Sequence, residues 1–451
     1  MLSHHQQSTY HTNLLTSLLL IMFLSGCQQF PLYFSATQPT ESISTNVSDE
    51  TLALHQFSIT KEQGVIGKLA TLTSEQNDSL PDIARHYGLG FNDVSNANPE
   101  LSAWTPQTGS RVLLPARFIL PDAPRKDIVL NLANMRMFYY PKNDSANVYT
   151  YPVGIGREGW SSPIGQTKII SKTVNPTWTV PASIHQEHAE KGDKLPSVIN
   201  PGPENPLGKY AMRLAVPGYL IHGTNKPYGI GLQVSHGCIQ LYPEDIESLF
   251  DKIRIGTSVN IVHQPYLVGW DANMLYLEAN SPLQKWANQT PQLKKQLLKR
   301  LQQIGHERQV SIDWDRVESI LEHANGIPTP IIKNSPTLAE LTTLAPQLKH
   351  PEQFYQQPII EPLENDDWAL LVASFNNETE AQTLAAMLNH QGPIIPARKV
   401  HKDKNYYVIA GPFKDKSEMQ AAAKRIKLDF ELKPTPLKPL AAAEKFGQQN
   451  L

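Results

Sequence analysis

Cys238 closes the run Ser235-His236-Gly237-Cys238, and a second His-Gly pair, His222-Gly223, stands sixteen residues before it. A cysteine attacks as its thiolate, so it needs a base or a positive surrounding. Two bases are available. His236, two residues away, projects to the same side of an extended segment as Cys238. His222, at the end of the apolar run Tyr219–His222, can approach the sulfur side-on across a sheet, and spacing alone leaves the choice open. Gly223 and Gly237 let a substrate come close to the backbone and leave N–H groups for a developing oxyanion. Gly229, Gly231 and Ser235 shape the loop between the two motifs. Downstream, Ile246, Leu249, Phe250 and Ile253 recur at helical spacing, so the chemistry is expected just before a helix. A buried structural thiol is the usual fate of a lone cysteine, but not of one flanked by two His-Gly pairs. A zinc site on His222, His236 and Cys238 lacks a clear fourth ligand, so no metal or organic cofactor is expected.

The elements that position these residues belong to a long chain. Its 451 residues imply about three modules at roughly 150 residues each, and 36 prolines against 25 glycines favour stiff connections. A net charge of -2 gives no electrostatic footprint for nucleic acid. The two cysteines, Cys27 and Cys238, lie in contexts too different for a mutual disulfide. Leu14–Leu24 is apolar but shorter than the about 20 residues a membrane span needs. It leads into Leu24-Ser25-Gly26-Cys27, which resembles a bacterial lipoprotein signal without the usual basic residues at its start. That resemblance implies a signal peptide over 1–27, lipidation at Cys27, and, with Gln28 following, the periplasmic side of the outer membrane. Residues 28–60 then read as a polar tether.

Over 61–116, Leu80, Ile83, Ala84 and Tyr87 mark a helix with Asp78 as cap and Gly88 as stop, and Phe91, Val94 and Ala97 mark a second. The segment DSLPDIARHYGLGFNDVSNANPELSAWTPQTGSRVLLP resembles a LysM-like module, a βααβ fold, which implies binding to N-acetylglucosamine-containing glycan. Residues 125–263 are dense in short strands, including 128–132, 137–140 and 150–156, with one helix after Cys238 and long loops such as 182–210. This is a mainly β domain of sandwich or barrel type. Residues 264–332 read as a helical extension whose lysines form a solvated face, and 333–366 as a proline-containing linker. The last module, 367–436, has the order βαββαβ, an α+β arrangement. With Val372-Ala373-Ser374-Phe375 and Val408–Phe413 it resembles a SPOR domain, which implies binding to glycan strands stripped of their peptides.

HGTNKPYGIGLQVSHGCIQL resembles the signature of the YkuD-type (ErfK/YbiS-like) L,D-transpeptidase catalytic domain, with supporting matches in IVLNLANMRMFYYP, VGIGREGWSSPIGQTKI and PGPENPLGKYAMRL. The resemblance implies that Cys238 is the nucleophile and His222 the base, oriented by the Gly223 carbonyl. His236 and Gly237 would form the oxyanion environment, Ser235 would support the loop, and Tyr228, Gly231 and Gln240 would contact substrate. The implied reaction is acyl transfer from a peptidoglycan tetrapeptide stem through a thioester. The acceptor amine would be another stem (a 3-3 cross-link), a D-amino acid, or a lysine of an outer-membrane protein, possible acceptors including a wall-anchored lipoprotein. Hydrolysis of the same bond and a catalytically inactive wall-binding scaffold are the alternatives. Gln240 departs from the family pattern, which has Arg or Asn there. A glutamine offers neutral hydrogen bonds where an arginine would hold a carboxylate bidentately.

Overall fold

A computed structural model describes residues 47–48, 52–364, 367–390 and 392–437. The expected signal peptide, Cys27 and most of the tether lie outside the described residues. No helix among the described residues is long and apolar enough to cross a membrane.

The N-terminal module runs β1 (Val65–Gly67), β2 (Ala70–Thr73), α1 (Leu80–His86), α2 (Phe91–Ala97), β3 (Arg111–Leu114) and β4 (Arg117–Ile119). β2 pairs antiparallel with β3, and β1 with β4. The βααβ order is present with an outer strand added on each side. The N-cap of α1 is Ser79, whose hydroxyl accepts from Asp82 N, and not Asp78. Asp78 instead accepts from Glu75 N and pairs with His350 Nε2 at 3.0 Å.

The next domain contributes β5 (Asp127–Asn131), β6 (Arg136–Tyr140), β7 (Asn147–Pro152), β8 (Ile155–Gly156), β9 (Gly165–Val174), α3 (Ala182–Glu190), β10 (Tyr210–Leu214), β11 (Leu220–His222), β12 (Gln233–Ser235), β13 (Ile239–Gln240), α4 (Pro243–Lys252) and β14 (Ser258–Val262). One nine-stranded sheet orders these as β13-β11-β10-β9-β14-β5-β6-β7, ending on the strand Gln56–Ser58. β9 is long because it serves two neighbours: Gly165–Lys168 pairs with β14, and Ile169–Val174 with β10. The sheet curls there, so the architecture is one curled sheet with helices. β5 is apolar on both faces because both are covered, as expected for strands buried on two sides. Val129, Phe138 and Tyr140 pack into a core with Leu72, Leu80 and Ile83 of the N-terminal module. Ile128, Leu130 and Met137 pack into a second core with Ile246, Leu249, Phe250 and Ile253, the predicted face of α4.

Three expectations need correction. The loop 182–210 contains α3, whose polar sequence ASIHQEHAE buries only Ile184 and so lacks an apolar stripe to betray it. The extension 264–332 opens with a hairpin, β15 (Tyr266–Asp271) and β16 (Met274–Ala279), before α5 (Thr290–Arg308) and α6 (Trp314–His323). The linker 333–366 is structured over its described part: α7 (Leu338–Leu344), capped by Thr337 and Glu340, then β17 (Gln347–Leu348), parallel to β2. Leu348 and Phe354 enter the core of the N-terminal module. Prolines removed helical continuity there without removing packing.

The last domain has β18 (Trp368–Phe375), α8 (Glu378–His390), β19 (Ala397–Lys402), β20 (Asn405–Phe413), α9 (Lys416–Phe430) and β21 (Thr435–Leu437). Its sheet runs β19-β20-β18-β21, all antiparallel, with Ala381, Leu384, Leu388, Met419, Ala422 and Ile426 of the helices packed on one face. The closing strand begins only at Thr435, because α9 continues through Phe430.

Candidate active site

The site forms where two short strands meet at the sheet edge. β10 and β11 make an antiparallel hairpin, and β13 adds parallel to β11 with Ile221 opposite Ile239 and His222 opposite Gln240. One step back, this register sets Leu220 beside Cys238. Residues paired across strands project to one face, and so do alternate residues along a strand. Cys238, Leu220, His222 and Gln240 therefore share a face, with the cysteine and His222 on a diagonal.

The turn before Cys238 is fixed by hydroxyls. Ser235 Oγ donates to Cys238 O at 2.6 Å and accepts from Gly237 N at 3.1 Å. Ser162 Oγ donates to Gly237 O at 2.9 Å and accepts from Gly156 N at 3.0 Å. Gly237 has φ +103, and a Cβ there would stand 2.8 Å from Tyr219 Cε1, so only glycine fits under that ring. Its N–H is committed to Ser235. Cys238 N–H donates to no group among the described residues.

His222 is buried, 3% exposed. Its Nδ1–H donates to Gly223 O at 2.6 Å, which leaves the lone pair on Nε2. Burial pushes its pKa down to about 4, against backbone hydrogen bonds to Gly223 and Leu207 that favour the charged form. The half-buried Cys238 thiol is pushed up by burial, opposed by a backbone hydrogen bond from Leu220 and by the charge of Arg213. Its sulfur lies 3.8 Å from Gly218 O. Thiol and imidazole are thus both neutral at rest. Burial outweighs any helix-start effect here, since α4 begins only at Pro243.

His236 sits in different company. Its Nε2 is 2.9 Å from Glu187 Oε2 on α3 and 2.9 Å from Arg157 Nη2, and its ring meets Trp160 edge-on. The hydrogen bonds from His236 and then Lys191, with Arg157 beside them, hold the Glu187 carboxyl down to about 2.

The expected substrate contacts separate. Gln240 lies near the site, its backbone exchanging two 2.9 Å hydrogen bonds with Gly154. Tyr228 lines a cavity of about 500 Å³ with Thr224, Asn225, His390 and Pro393, toward the C-terminal domain. Gly231 is buried under α2, where a Cβ would stand 2.5 Å from Phe91 N, so it seats the N-terminal module and does not face solvent. A second cavity, of about 640 Å³, is bordered by Trp160, Tyr219, His236 and Trp286; neither cavity is lined by Cys238 or His222. Sequence reasoning missed Ser162, Tyr219, Arg157 and Glu187. Three of these lie in or beside the quoted motifs, whereas nothing in the sequence of α3 marks Glu187.

A half-buried free thiol, a buried neutral imidazole and a glycine-locked turn lie together on a curled sheet, a set of groups suited to cysteine acyl transfer. Residues 125–261 match the family model of the L,D-transpeptidase catalytic domain, and residues 364–436 that of the SPOR domain. Over 263 residues the chain is 38% identical to the probable L,D-transpeptidase YcfS of Escherichia coli (strain K12), covering 57% of this chain and 82% of that protein. Over 281 residues it is 36% identical to the probable L,D-transpeptidase ErfK/SrfK of the same strain, covering 60% and 88%. The chain belongs to the L,D-transpeptidase family.

Proposed function

We propose that this enzyme works on peptidoglycan stems with Cys238 as nucleophile and His222 as base. The observation that carries the assignment is the parallel β11–β13 register, which puts both side chains on one face while Gly223 O holds the His222 tautomer. The Cys238 proton passes to His222 Nε2 as sulfur attacks the carbonyl at the L-centre of diaminopimelate in a tetrapeptide stem. Cys238 N–H, a donor without a partner among the described residues, faces the developing oxyanion; Gly237 contributes its conformation and His236 a rim contact. The C–N bond breaks, the proton returns to the departing D-Ala amine, and a thioester remains on Cys238. An acceptor amine then attacks the thioester and restores the thiol: another stem's diaminopimelate, a D-amino acid, or a lysine of an outer-membrane protein.

The flanking domains supply wall contact. The βααβ order of the N-terminal module supports its reading as a LysM-like glycan binder, and the SPOR domain supports attachment to glycan strands. Two such contacts raise the effective concentration of the site on the wall. Lipidation at Cys27, supported by the Leu-Ser-Gly-Cys motif, would hold the enzyme on the periplasmic side of the outer membrane. The test is muropeptide analysis of sacculi incubated with enzyme, with and without an added amine. The native protein releases D-Ala and forms 3-3 links or amine adducts, and Cys238→Ala forms none. Release of D-Ala that ignores the added amine would instead make the enzyme a hydrolase.

A further inference from the structure

Arg213 occupies β10 with its side chain exposed. It stands opposite Leu220 on β11, and the parallel step from β11 to β13 places Leu220 beside Cys238. Arg213, Leu220 and Cys238 therefore form one row across three strands, on one face, with the ends about 10 Å apart at the usual strand spacing. Its charge is felt at the sulfur, where it opposes the effect of burial. Yet Arg213 makes no ion pair or hydrogen bond among the described residues, while Arg85, Arg136, Arg157 and Arg316 are each tied to a carboxylate. The next row of the sheet pairs His222 with Gln240, a neutral amide. The face that carries the nucleophile thus has its unpaired cation on β10 and none at 240.

A guanidinium left without a partner suits bidentate capture of a carboxylate. A tetrapeptide stem offers two near the reacting carbonyl, the terminal D-Ala carboxylate and the side-chain carboxylate of diaminopimelate. We infer that Arg213 is a specificity-determining residue whose guanidinium binds a carboxylate of the stem seated over Cys238, supplying from β10 the charge absent at Gln240. The inference rests on Cys238 being the nucleophile.

The experiment compares kcat/KM of full-length enzyme on three stem peptides: free acid, C-terminal amide, and diaminopimelate side-chain amide. Arg213→Gln is expected to lose about 10- to 100-fold on the free acid, mainly in KM, the range set by one lost charged hydrogen-bonding pair. It should lose little on whichever amide already lacks the bound carboxylate, and that amide identifies the source. Arg213→Lys keeps part of the acid preference, and Arg213→Gln with Gln240→Arg regains it. Equal loss on all three peptides, or no loss on the free acid, would overturn the role of Arg213 while leaving Cys238 in place. Turnover by Cys238→Ala would overturn both.

Discussion

The two histidines that flank Cys238 in space are held by opposite means. His222 is walled in at the end of β11, neutral, its Nδ1–H given to a backbone carbonyl. His236 is on the rim, clasped by Glu187 of α3 and by Arg157, which follows β8. Burial keeps the first ring neutral; the 2.9 Å contact with Glu187 makes the second a fastening for α3. Nearness in sequence to Cys238 points to His236, whereas the sheet register points to His222 as the proposed base.

The sharpest way to break this contrast is to exchange the treatment of the two rings. His222→Gln should lower kcat on stem peptide by about 10²- to 10⁴-fold, the range for loss of a general base, with the fold intact by circular dichroism. His236→Gln should cost far less. A ratio near one between the two variants would refute the assignment. Gly237→Ala comes next: positive φ and the 2.8 Å approach to Tyr219 predict an activity loss of about 10- to 100-fold and a stability loss of about 1–3 kcal/mol, read by urea unfolding.

The pH dependence sharpens the same comparison. His222 has a folded pKa of about 4 against 6.5 unfolded, so the unfolded chain takes up the proton first. Its contribution to stability is full above pH 6.5 and is lost as pH falls toward 4, about 3 kcal/mol in all. Urea midpoints at pH 7 and 4.5 should therefore differ less in His222→Gln than in the native protein. The acidic limb of kcat/KM should also lie well below pH 6.5. The smallest effect belongs to Glu187→Gln, which loosens α3 from His236: a few-fold change in KM at pH 7, with kcat nearly kept. A fall in kcat as large as that of His222→Gln would show that the rim takes part in proton transfer.

Much of this is legible in the sequence. Continuous apolar runs marked β5 and β6, helical spacing marked the face of α4, and the helix faces of the last domain emerged residue by residue because each has an apolar stripe to bury. What escaped had no such stripe or had its logic elsewhere. α3 is polar on nearly every side, and Asp78 gave up a helix cap to hold His350 from 272 residues away. The segment 333–364 looked like a spacer because its packing partners lie in the first module.

The sequence by itself determined the candidate nucleophile, its two candidate bases and the glycines that allow close approach, since those are properties of residue type. The tertiary structure alone decided which histidine is buried and neutral, that Gly231 seats a neighbouring module, and that Arg213, without a partner among the described residues, shares the face of Cys238. Those depend on which strands lie side by side, and strand register is set by long-range pairing that no local spacing encodes.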